Sequence, residues 1–163
     1  MGLQTTGEIV VAVDRDDAFR YIQVPEQLGQ CIPGCSELRE VSPGSFTAVL
    51  TNEVSFITLS FQVVVQVVKV DPPHSIEAKI TGKPIGFVGQ LTAAAALQLS
   101  EAGPGRTLIR HTSDVGLTRK LGGLGQPVFR AKSAEMSAKF AANLKAALER
   151  TAIGKNGAGD GKA

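Results

Sequence analysis

A chain of 163 residues with 43% hydrophobic side chains is long enough to fold as one domain around one core, and a second domain does not fit. Seventeen Lys or Arg stand against fifteen Asp or Glu, a net charge of +2; with no Trp, one Tyr and no dense basic run, the composition argues against a nucleic-acid binder. There is no apolar run of about 18 residues, and no basic start leading to an apolar stretch and a cleavage site, so neither a membrane span nor a signal peptide is predicted and the expected compartment is cytoplasmic.

Gly7 to Val13 is a β-rich run with Ile9, Val11 and Val13 on one face. Asp14 is placed to cap a short helix carrying Ala18, Phe19 and Ile22, which must end near Val24 because Pro25 disfavours helical geometry before it. Pro25 to Gly29 then suits a second short helix with Pro at its first position. Cys31-Ile32-Pro33-Gly34-Cys35 follows as a turn, by its Pro-Gly pair. Two cysteines without nearby histidines make a poor metal site and no disulfide framework.

Strands are predicted over 36–41, 45–52 and 56–70. In the third, Ile57, Leu59, Phe61, Val63, Val65 and Val67 form six successive inward positions, and period 2 held that long fixes the register. Asp71-Pro72-Pro73 breaks the run, His74 falls in an exposed turn, and Ile76, Ala78 and Ile80 mark the next strand. In 88–100 the inward set is Leu91, Ala93, Ala95, Leu97 and Leu99, small in the middle. The last strand runs from Thr107 to about Val115. Gly122, Gly123 and Gly125 loosen the approach to a long helix over 127–150, with Phe129, Met136, Phe140, Leu144 and Ala147 on one stripe. The order is that of an α+β fold, an antiparallel sheet curling around a terminal helix.

Three features together resemble the CoxG family of carbon monoxide dehydrogenase proteins. They are the Cys31–Cys35 segment after two short helices, the Asp71-Pro72-Pro73 break after a long strand, and Gly116 to Gly125 before the final helix. The resemblance covers about residues 5 to 150. It implies a START-like (SRPBCC) helix-grip fold, a seven-stranded antiparallel sheet around the long C-terminal helix and a hydrophobic cavity. It also implies an accessory role for a molybdenum-containing CO dehydrogenase or related hydroxylase, with links to membrane attachment and quinone binding. Some members end in a membrane-binding extension. Here residues 151–163 are Gly-rich and almost without apolar side chains, so the expectation is one domain over 1–150 and a short disordered tail that is no anchor.

The residues themselves also point to a cavity. Ala93 and Ala95 face inward on one strand, and Ser133 and Ser137 sit at the inward edge of the helix that should cross it, although close packing by other side chains explains the same pattern. The candidate lining is Phe61 and Val63 on the long strand, with Leu91, Ala93, Ala95 and Leu97 further along the sheet. Ile109, His111 and Ser113 on the last strand and Phe129, Ser133, Met136 and Phe140 on the helix complete it. A neutral His111 imidazole is suited to donate to a quinone or other carbonyl oxygen. Ile85, Phe87 and Val88 form an apolar loop that suits a portal or a membrane contact.

From Leu117 onward nine basic residues stand against three acidic ones, whereas the first 116 carry eight against twelve. Such a cationic end suits peripheral contact with an anionic membrane, though a solvated helix face explains it too. The favoured function is a non-enzymatic carrier of a quinone or lipid serving the molybdenum enzyme at the inner face of the membrane. The alternatives are an enzyme of the cyclase or hydrolase kind with His111 as acid or base, and a docking factor without ligand. No catalytic residue, metal or covalent cofactor is assigned.

Overall fold

The computed structural model describes residues 2–54, 57–86, 89–117 and 126–162, and side chains over 4–53, 58–86, 89–116 and 130–150. Strand β1 (Gly2–Val11) leads to helices α1 (Arg15–Ile22) and α2 (Pro25–Gly29). Strands β2 (Cys35–Ser42), β3 (Ser45–Val54), β4 (Ile57–Asp71), β5 (Ser75–Pro84), β6 (Leu91–Glu101) and β7 (Thr107–Leu117) follow, then helix α3 (Gln126–Lys162). The strands form one seven-stranded sheet in the order β1-β7-β6-β5-β4-β3-β2. Every neighbouring pair is antiparallel. This is the expected α+β helix-grip arrangement, with both short helices after the first strand.

The alternation in β4 settles which face is inward. Leu59, Phe61 and Val63 are buried, Val65 and Val67 are partly so, and their outward neighbours Val64 and Val68 are exposed. Register carries this choice across the sheet: Val63 opposes Ala48 on β3 and Gly82 on β5, while Ile80 opposes Ala93 on β6, which opposes Val115 on β7.

The Cys31–Cys35 turn is tied down by three hydrogen bonds, one from α3 and two from β3. The Asn143 amide on α3 donates to the Cys31 carbonyl at 3.1 Å, Asn52 on β3 donates to the Pro33 carbonyl at 3.4 Å, and the Thr51 amide donates to the Gly34 carbonyl at 3.0 Å. Gly34 adopts φ +79°, and a Cβ there would collide with the Thr51 carbonyl oxygen. Gly34→Ala is therefore expected to lower stability by roughly 2 kcal/mol or more, read as a shift of the urea midpoint.

Four expectations need correction. β1 begins at Gly2 rather than Gly7 and ends at Val11. Val13, beyond the strand, is buried in the same core cluster as Val11 and Phe19, and its carbonyl accepts the Thr107 hydroxyl at 2.6 Å. Asp14 holds the N-cap position of α1 without a side-chain cap bond; its carbonyl takes the Ala18 amide at 2.8 Å. The segment 151–163, expected to be disordered, continues the helical backbone to Lys162. No proline interrupts the ladder after Pro127, although each of the four glycines in the extension costs about 1 kcal/mol relative to Ala.

Candidate functional site

The inner face divides into two closed ends and an accessible middle. At one end Val11, Phe19, Ile22, Leu99 and Ile109 pack against Leu144, Ala147 and Leu148 of α3, all buried. At the other, Ala48, Leu59, Phe61 and Val63 form a second cluster, with Leu50, Val65, Ile80 and Leu91 partly buried against it. Between them the inward residues Ala78, Ile80, Ala93, Ala95, Ser113 and Val115 are each only partly buried. The helix shows the same gradient along one stripe. Ser133, Met136, Ser137 and Phe140 keep partial access, whereas Leu144, Ala147 and Leu148 have none to speak of. Helix α3 therefore seals one end of the sheet and covers the small side chains of β5–β7 only in part beneath its first half.

His111 sits at the boundary. It is 8% exposed, opposes Leu97 on β6 and Gly7 on β1, and meets Phe140 edge-on at 5.7 Å between ring centroids. Gly7 makes this position available, because a Cβ there would lie 2.5 Å from both Cε1 and Nε2 of the imidazole. Among the described residues no group hydrogen-bonds the ring. Burial lowers the His111 pKa from its ordinary 6.5, which keeps the ring neutral, one nitrogen donating and the other accepting.

Two outcomes follow. Gly7→Ala must displace the ring, with an expected loss of about 1–2 kcal/mol and a changed His111 Hε1 chemical shift. Because the folded pKa lies below the unfolded one, the unfolded chain binds more protons as pH falls through 6.5. His111 thus contributes its full stability above that pH and loses it progressively below, levelling off under the folded pKa. Urea midpoints measured from about pH 7.5 to 5 should show this slope, flattened in His111→Phe.

The predicted lining residues that carry described side chains all lie on the inner face or on the sheet-facing stripe of α3. Phe61, Val63, Leu97 and Ile109 belong to the closed ends, as buried core. Leu91, Ala93, Ala95, Ser113, Ser133, Met136 and Phe140 border the accessible middle. The Phe129 side chain, Phe87 and Val88 lie outside the described residues; Ile85, the remaining residue of the expected portal, is 49% exposed. Ser133 does not simply face the alanines. Its hydroxyl shares a 2.9 Å hydrogen bond with Thr5 on β1, the strand against which α3 chiefly packs.

Thr5 and Gly7 are the residues that sequence reasoning missed. Both are in phase with Ile9 and Val11, but neither is apolar enough to extend the alternation by eye. The cysteines take structural places. Cys31 is buried with Sγ against the Gln27 carbonyl, Cys35 packs partly buried on the second cluster, and burial pushes both thiols up. Among the described residues no cluster of His, Cys, Asp or Glu is suited to a metal ion, and no helix is long and apolar enough to cross a membrane.

The sequence matches the carbon monoxide dehydrogenase CoxG family over residues 7–149. No curated protein matches it. Among solved structures it is similar to a conserved protein from Geobacillus kaustophilus, with TM-score 0.81 at 17% identity over 91% of this chain and 97% of that one. A START superfamily protein from Mycobacterium smegmatis gives TM-score 0.68 at 14% identity, over 91% and 98% of the two chains. The ZhuI aromatase/cyclase from Streptomyces sp. R1128 gives TM-score 0.68 at 13% identity, over 91% and 95%. At these identities the likeness is one of fold.

Proposed function

Because the chain belongs to the CoxG family of carbon monoxide dehydrogenase, we propose that it is a non-enzymatic carrier whose inner face holds an apolar molecule bearing an oxygen acceptor, a quinone or a lipid. The observation that carries this reading is the accessible middle of a sheet whose two ends are closed by buried clusters. An empty apolar void costs roughly 24 cal/mol per Å³, so about 300 Å³ of it would cost roughly 7 kcal/mol, a large share of the ~5–15 kcal/mol that stabilises a domain. A bound molecule offsets that cost.

His111 gives the ligand its orientation: a neutral N–H at the edge of the accessible region, without a partner among the described residues, donates to a carbonyl oxygen. The same setting favours a carrier over an enzyme, since among the described residues no group fixes the tautomer or shares the proton. The partner served is a molybdenum-containing dehydrogenase or related hydroxylase, and delivery takes place at the membrane. Arg130, Lys139 and Lys145, exposed on α3, favour peripheral contact with anionic lipid.

Vesicles of anionic lipid loaded with a long-chain quinone, incubated with the protein and then removed by centrifugation, test the reading. Stoichiometric quinone left in the supernatant with the protein is expected, with transfer slowed by salt. A supernatant free of quinone and of lipid contradicts it.

A further inference from the structure

The outer face of the sheet carries a second site. A groove of about 620 Å³ crosses β2 to β5 on the side away from α3. Register places its floor in two rows: Arg39 beside Thr47, Val64 and Thr81, then Val49 beside Gln62 and Lys83. Val64 is 38% exposed, an apolar floor between two threonine hydroxyls. Arg39 and Lys83 stand at opposite ends of the groove, and neither has an ion-pair partner among the described residues.

The β2 rim is built irregularly. Between the pairs Ser36–Val49 and Arg39–Thr47, Glu37 and Leu38 oppose the single residue Ala48, and Glu37 takes φ +53°, a left-handed conformation rare for a non-glycine residue. Such strain costs of order 1–3 kcal/mol and persists where the surroundings impose it. Here the bulge re-aims Glu37 and Arg39, both of which line the groove.

We propose that this groove docks an extended acidic segment of a partner protein, lying across the strands with one carboxylate on Arg39 and another on Lys83. Three strand spacings separate β2 from β5, about 14 Å, and Lys83 stands one row, about 7 Å, further along, a diagonal of about 16 Å that four extended residues at ~3.4 Å each span together with the reach of the Arg and Lys side chains. Carboxylates at positions i and i+4 of the segment point to the same side and meet the two cations. The Thr47 and Thr81 hydroxyls face its backbone and Val64 its central side chain. The site lies on the opposite face of the sheet from the carrier chamber and does not depend on it.

The test is fluorescence anisotropy of a labelled peptide with two glutamates four residues apart in a Val/Thr background, against its dilysine twin, with the full chain. Preference for the glutamate peptide of roughly ten-fold or more is expected, with loss in Arg39→Glu and in Lys83→Glu and weakening by salt. Both positions are exposed, so thermal melts of the variants should match the parent. Equal binding of the two peptides, binding unchanged in both variants, or no anisotropy change at millimolar protein overturns the proposal.

Discussion

Ala95→Phe should abolish ligand uptake without destabilising the ligand-free protein. Ala95 lies in the accessible middle row, opposite Ala78 on one side and Ser113 on the other, all three small and partly accessible. A phenyl ring placed there has space to occupy and apolar neighbours to contact, so burial of its surface offsets the lost ligand site. In a close-packed core the same substitution overpacks and costs about 1–3 kcal/mol. Thermal melts of delipidated protein separate the cases: an unchanged or raised midpoint agrees with open space, and a fall of several degrees does not. Quinone retention, measured beside it, should drop by about ten-fold or more.

Leu144→Ala should cost the most of any single truncation on α3. Leu144 is 0% exposed within the cluster that joins the helix to β1, β7 and α1, where the surroundings have little freedom to collapse. A loss of about 4 kcal/mol is expected, or about 8–16 °C in the melting midpoint of a domain this size. Met136→Ala, two turns earlier on the same stripe, removes a side chain that is only partly buried and should cost under about 1 kcal/mol. The contrast between the two variants is the energetic form of the sealed and unsealed halves of the helix. Equal losses would mean that α3 packs evenly along its length.

Much of this architecture is legible in the sequence because apolar residues alternate over long runs. In β4 the period-2 set fixes the inward face, and the middle of β6, Ala93 and Ala95, marks the region that α3 covers only in part. The same logic fails where the inner face is not apolar. Thr5 and Gly7 belong to β1 and to the site, yet a threonine and a glycine give no hydrophobic signal, so periodicity starts the strand late. Gly7 is small because the imidazole of a residue 104 positions away lies over it, and nothing local announces that contact. Ser133 reads as a gap facing the alanines, while its hydroxyl turns to Thr5, because α3 leans on β1 rather than centring over the sheet. The lean of a helix is a tertiary property that periodicity along one chain segment does not encode. Composition misleads at the C-terminus, where the glycines of 151–163 argue for disorder and the backbone is helical to Lys162.

Native mass spectrometry of the protein as purified, followed by organic extraction, tests the carrier chamber most directly. A population heavier than the chain by one apolar molecule is expected, released by extraction and absent from Ala95→Phe. A single population at the mass of the chain alone, with no uptake of added quinone or lipid, would contradict it.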